Sequence, residues 1–289
     1  MKRISCVCVV SALCLMIAFA GFAQQRRSPG RSFKVYAFIP YSGYIRNGEA
    51  VKTNFRQLQD YLGTLGISGY DLIYENRISD FPGGDKKQGV INRSKLDPLA
   101  HEASGMPGVL VALDLEGWNR FDTLHTPDKL IDAIKAFRQT DPTNPVGLYA
   151  TVPQDTYGYP KDYSRLNKAY SKVAAVVDYF SPSLYNYKTA DTAEWKKGAA
   201  FNIEACKKYG YPYKKIIPYI TPEIKVDGHA RLLNYDEMLY RLKTLYEQGA
   251  DGCLLWGSSG ARDDQGNRVV VDENDGWLKA VKDFIKQHH

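Results

Sequence analysis

The sequence predicts an α/β chain, a TIM-type (β/α) barrel with about seven parallel strands. Three observations carry this. Short runs rich in Val, Ile, Leu and Tyr alternate with stretches of helical spacing along the whole chain, the order that a parallel sheet with crossover helices requires. Some of these runs, 109–113 above all, are apolar throughout, as strands buried on both faces are. Once residues 1–23 are set aside, about 266 residues remain, a length that suits one such barrel.

Residues 1–23 read as a secretory signal: Lys2 and Arg3 lead an apolar core at 4–19, and Gly21-Phe22-Ala23 ends it with small residues. The expectation is a secreted or periplasmic protein with a flexible polar leader at 24–32 and a single barrel domain at 33–289. No later apolar stretch approaches a membrane span.

The first strand is 33–40 (FKVYAFIP), stopped by Pro40. A Gly-containing loop at 41–48 leads to a helix over 49–65, with Val51, Phe55, Leu58 and Leu62 on one face. The second strand is 70–75, followed by a loop at 78–85 and a helix at 95–103. The third strand is 109–116. The helix at 126–140 has Thr126 as its cap and Pro127 at its first position. A fourth strand at 146–152 is followed by a Tyr/Gly loop at 154–159. Helix 164–177, strand 179–185, helix 192–209, strand 216–220, a loop at 227–233, helix 235–248, strand 252–256 and helix 277–286 complete the alternation.

The net charge is +6, and loss of Lys2 and Arg3 leaves about +4. The basic residues are scattered, so neither a nucleic-acid partner nor a polyanion is demanded. Three of the five cysteines fall within residues 1–23, which leaves Cys206 and Cys253 as small buried hydrophobes and no disulfide framework. No metal-ligand spacing, phosphate loop or Ser-His-Asp pattern is present, and no cofactor is expected. The 21 tyrosines offer flat faces with hydroxyls, a surface that suits sugars.

The stretch 109–118 (VLVALDLEGW) concentrates the chemistry. Side chains alternate along a strand, so Asp114 and Glu116 share one side, about 7 Å apart. Two acids at the end of a buried strand are electrostatically costly unless a task or a partner explains them: either an acid/base pair at the C-terminal mouth of a barrel, or an Asp that caps a turn beside a Glu paired with a basic residue. Trp118 lies just beyond the pair, and the other strand ends bring Tyr41, Asn76, Arg77, Tyr157 or Tyr159, Tyr185, Asn186 and Trp256 to the same face.

Taken in order, several motifs resemble the eukaryotic-type hyaluronidase family of glycoside hydrolases. They are the strand FKVYAFIP, Tyr74-Glu75-Asn76-Arg77, Gly83-Gly84 with Gly89-Val90-Ile91-Asn92, and the D-x-E-x-W motif of Asp114, Glu116 and Trp118. Pro182-Ser183-Leu184-Tyr185 and Leu255-Trp256-Gly257-Ser258 close the set. The resemblance implies a distorted seven-stranded barrel and a retaining endo-β-N-acetylhexosaminidase that uses the substrate's own acetamido group as nucleophile. Glu116 then matches the general acid, and Asp114 the carboxylate that orients the acetamido group. Tyr185 matches its tyrosine partner and Trp256 the aromatic wall. Tyr157, Trp118, Arg77, Asn76 and Tyr41 are the further substrate-binding candidates.

The implied partner is a polysaccharide, hyaluronan or a related N-acetylated glycan, acted on by a monomer. Repulsion from Asp114 is expected to keep Glu116 protonated, which implies an acidic optimum. Leu115 stands where the family commonly has Trp, Asn119-Arg120 stands in place of Arg-Pro, and the family's cysteine-rich extension is absent. A glycosidase for another N-acetylated glycan therefore stays open, as does a carbohydrate-binding protein without turnover. A chitinase-like reading expects further Asp residues upstream, where this chain has Val109, Leu110, Val111 and Ala112. A purely structural barrel would pair its carboxylates with Arg77 or a Lys.

Overall fold

Among the described residues seven parallel strands form a ring, with a helix following each one. The computed structural model describes residues 31–154, 163–185, 192–226, 229–263 and 265–288. The expected signal at 1–23 and nearly all of the leader lie outside the described residues. The strands are β1 (Lys34–Phe38), β2 (Ser68–Tyr74), β3 (Leu110–Asp114), β4 (Val146–Leu148), β5 (Tyr179–Phe180), β6 in two pieces (Lys215–Ile216 and Tyr219–Ile220) and β7 (Gly252–Trp256). The helices between and after them are α1 (Phe55–Thr64), α2 (Arg93–Ser104), α3 (Thr126–Thr140), α4 in two turns (Ser164–Ala169 and Ser171–Val176), α5 (Thr192–Lys208), α6 (Tyr235–Gln248) and α7 (Gly276–His288).

Six strands make one parallel sheet in the order β6-β7-β1-β2-β3-β4. The register runs Lys34 to Gly252 through Phe38 to Trp256 on one side, and Tyr70 to Leu110 through Tyr74 to Asp114 further round. β5 joins the two ends. The Asp178 N–H donates to the Val146 carbonyl at 2.9 Å and the Ala150 N–H to the Ser181 carbonyl at 3.1 Å. On its other side β5 pairs with β6 through Tyr179–Lys215 and Phe180–Ile216, and Ser183 bridges to Tyr219.

Alternation sorts the side chains into two cores. Val35, Ala37, Ile73, Val111, Leu113, Cys253 and Leu255 face outward and pack under the helices. Tyr70, Leu72, Leu110, Ala112, Tyr149, Tyr179, Tyr219 and Leu254 fill the lumen. Many of the tyrosines that looked suited to sugar thus serve as barrel filling. Cys206 and Cys253 are free and buried.

Several elements differ from the sequence expectation. Residues 49–52 are a strand, not the start of a helix: Glu49–Lys52 folds back on Gly43–Arg46. Asn47 and Gly48 both have positive φ, 52° and 80°, as a tight hairpin turn requires, and the α1 helix starts only after Asn54, whose side chain closes a capping box with Gln57. The expected loop at 227–233 overlaps a second hairpin, Glu223–Val226 with His229–Leu232. β6 is split at Ile217-Pro218, because proline has no N–H for the ladder. β4 stops at Leu148, just before Ala150 turns with φ 50°. α4 breaks at Tyr170. Thr126 is the first residue of α3 rather than its cap, and its hydroxyl donates to the Asn119 carbonyl at 2.7 Å.

Candidate active site

The C-terminal ends of the strands converge on one mouth. β3 delivers Asp114 above Leu110 and Ala112, on the lumen side. The chain then turns: the Trp118 N–H donates to the Leu115 carbonyl at 3.2 Å, and Glu116 stands at the rim. Asp114 and Glu116 line one cavity of about 160 Å³ together with Tyr74, Tyr149, Tyr185, Tyr219 and Trp256. The two acids thus share one cavity, although β3 ends at Asp114 rather than running to 116 as expected, and Glu116 reaches the cavity from the turn.

Aromatic rings build the walls. The Tyr185 and Trp256 rings are 5.7 Å apart at 34°, and Tyr149 stacks on Tyr185 at 6.0 Å. Tyr219 meets Tyr149 edge-on at 4.8 Å. The Trp256 indole N–H donates to the Tyr74 hydroxyl at 3.2 Å, and Tyr149 donates to Ser183 Oγ at 3.2 Å. Such a box offers apolar faces with hydroxyls at the edges, a shape for a small amphipathic group.

Both carboxyls hold their protons more firmly than usual. Burial pushes Asp114 from 3.8 to about 7, helped by the charges of Glu116 and Glu75 and opposed by the Glu116 N–H and Lys86. That N–H lies 3.4 Å from Asp114 Oδ1. Glu116 is raised as well, by loss of water at the cavity wall and then by Glu75, against Lys86 and Arg120. The expected repulsion between the two acids shows on Asp114, which takes the larger shift, and Glu75, a residue outside the D-x-E motif, adds its charge against Glu116. Among the described residues neither Asp114 nor Glu116 forms an ion pair with Arg77 or any Lys.

The other candidates are placed differently. Trp118 is buried, with Lys129 5.0 Å over its ring and Gly89 packed on its indole. It lines a second cavity of about 220 Å³ on the far side of Glu116, with Leu115, Arg120 and Gln154. Tyr41 is buried behind Gly257, and its hydroxyl donates to Glu223 Oε1 at 2.7 Å. Asn76 and Arg77 are exposed on the helical turn Glu75–Ile78, and the Arg77 charge acts on Asp71. None of these four lines the 160 Å³ cavity. Tyr157, Tyr159 and Asn186 lie outside the described residues.

Tyr149 and Tyr219 were not singled out from the sequence, and Tyr74 and Glu75 entered only as members of the Tyr-x-Asn-Arg motif, without a place in the site. Tyr74 opens the Tyr-x-Asn-Arg motif, and alternation from Leu72 would have turned it inward. Tyr149 and Tyr219 sit beside a strand end and in a two-residue strand, too short for alternation to orient them. Among the described residues no group of three His, Cys, Asp or Glu side chains could hold a metal ion, and no helix is long and apolar enough to cross a membrane.

No family model matches the chain, and no curated protein matches it. Among solved structures it is similar to bee venom hyaluronidase, with TM-score 0.54 and 15% identity over 78% of this chain and 91% of that one. The structure of bee venom hyaluronidase in complex with a hyaluronic acid tetramer is similar at TM-score 0.55 and 16% identity, with the same coverage. At this identity the likeness is one of fold.

Proposed function

We propose that this chain is a glycoside hydrolase, a retaining endo-β-N-acetylhexosaminidase that cuts hyaluronan or a related N-acetylated glycan with the help of the substrate's acetamido group. The observation that carries the reading is the single cavity at the barrel mouth that holds Asp114, Glu116, Tyr185 and Trp256 together. A likeness of fold to bee venom hyaluronidase, seen also in its complex with a hyaluronic acid tetramer, supports it.

The chemistry follows from the proton inventory. In the free protein burial raises Asp114 to about 7, so it holds a proton into the neutral range. An acetamido N–H that donates to Asp114 favours its ionised form, because hydrogen bonds to a carboxylate stabilise the charge. The proton is then held by Glu116, which delivers it to the leaving oxygen. The acetamido oxygen closes on the anomeric carbon, and the ionised Asp114 stabilises the cationic ring that forms. Tyr185 donates to the acetamido group, and the Trp256 face covers its methyl. Glu116, now a carboxylate, takes a proton from water as the ring opens.

The test is a screen of hyaluronan, chondroitin and neutral N-acetylated polysaccharides by reducing-end release. Glu116→Gln is expected to lower turnover by roughly 10²–10⁴-fold with folding intact. Wild-type turnover by that variant would remove Glu116 from the acid role. Tight binding of a glycan without cleavage from pH 4 to 9 would instead make the protein a carbohydrate binder. Export is proposed on the strength of residues 1–23 and is checked by N-terminal sequencing of the exported protein.

A further inference from the structure

A third carboxylate stands behind the proposed acid. Glu75 opens the helical turn after β2 and is 8% exposed. Its Oε2 accepts the Gly117 backbone N–H at 3.0 Å, a contact between residues 42 positions apart. Its Oε1 is 3.2 Å from Lys86 Nζ, on the loop that follows. Gly117 has no room for a side chain there: a Cβ would stand 2.5 Å from both Glu75 oxygens. The turn that carries Glu116 is thus seated on the Glu75 carboxylate.

A glutamine could accept the same N–H bond without bringing a third negative charge to two other acids. A buried carboxylate in such company is unfavourable unless it is anchored or used. Its anchors are the Gly117 amide and Lys86, and Lys86 is itself a surface cation with its side chain 67% exposed. The use is the charge.

We propose that Glu75 is a positioning residue for Glu116: held by Lys86, it pins the 116–118 turn through the Gly117 amide and sets a fixed negative charge beside the acid pair. This role rests on the reading of Glu116 as the acid. The groups that face Glu116 are Asp114 at the end of β3, Glu75, Lys86, Arg120 in the next turn and the Tyr74 hydroxyl at the end of β2. Glu75 favours a proton on Glu116, while Lys86 and Arg120 oppose it. Glu75 and Lys86 therefore act with opposite sign on one proton.

The experiment follows the Glu116 carboxyl by carbon-13 NMR across pH in the full chain, assigned by its loss in Glu116→Gln. Glu75→Gln is expected to lower the Glu116 midpoint and Lys86→Met to raise it, each by roughly threefold to tenfold in proton affinity. Amide exchange at Gly117 should stay slow in Glu75→Gln and speed up at least about tenfold in Glu75→Ala, which has no acceptor. Unchanged midpoints in the folded variants, or unchanged Gly117 exchange in Glu75→Ala, overturn the role whatever the chain cleaves. If the Glu75 variants do not fold, Lys86→Met at the surface decides alone by the presence or absence of its upward shift. A chain that shows the downward shift in Glu75→Gln and the upward shift in Lys86→Met yet cleaves no polysaccharide overturns the glycosidase reading and leaves the placement of the Glu75 charge standing.

Discussion

Asp114 holds its proton up to about 7 where an ordinary aspartate lets go near 3.8, and burial is the main reason. This has a consequence for stability that is independent of any substrate. A raised native pKa means that ionisation works against the fold. Well below pH 3.8 Asp114 is protonated folded or unfolded and costs nothing. As pH rises toward 7 the unfolded chain ionises freely and the native state does not, so stability falls, and the loss levels off above 7. Asp114→Asn removes the ionisable group. Its stability relative to the wild type should therefore improve with pH, by about 2–4 kcal/mol between pH 4 and pH 8 in urea titrations. A difference that does not grow over this range would argue against the buried, proton-holding Asp114. The pair itself was legible in the sequence, because D-x-E at the end of an apolar run falls at a strand's C-terminal end; that Glu116 reaches the cavity from a turn rather than by strand alternation was not. Which acid takes the larger shift was not legible, since it depends first on how deeply tertiary packing buries Asp114, with Glu75 and Lys86 adding their charges from another strand and loop.

At the level of elements, turns decided what the apolar pattern could not. Val51, Phe55, Leu58 and Leu62 have helical spacing, yet only the last three are helical. The Asn47-Gly48 pair favours a tight hairpin turn, and hairpin chemistry at that point overrode the spacing. The longer strands and helices were easier: α6 spans Tyr235–Gln248 and β7 spans Gly252–Trp256, both as the sequence predicts. The turn after β3 carries its own prediction. Gly117→Ala places a methyl 2.5 Å from the Glu75 oxygens, and either the turn or Glu75 must move. A loss of roughly 1–3 kcal/mol is expected from this overpacking, read as a lower melting temperature. Gly63→Ala, in an open helical position with nothing within 4 Å, should be neutral or slightly stabilising in the same assay.

Across the whole molecule, about seven strands were expected and seven close the ring, with β5 contributing only two residues of regular strand. The count was legible because each strand is separated from the next by a helix; the closure was not, because it depends on backbone bonds from Asp178 and Ala150 to residues on the neighbouring strand. Cys206 in α5 and Cys253 in β7 report on this closed body. Both are fully buried, and burial pushes both thiols far above the usual range. Thiol labelling followed by peptide mass spectrometry should leave both unmodified until the main unfolding transition and then modify them together. Labelling of Cys253 alone in the native state would mean that β7 opens by itself.

The tyrosine-packed lumen also dictates the route of approach. Nothing can be threaded through a plugged cylinder, so a long glycan of the proposed class reaches the acids only by lying across the rim. Scission would then strike the middle of strands as readily as their tips, and the viscosity of a polymer solution would collapse while few new reducing termini had appeared.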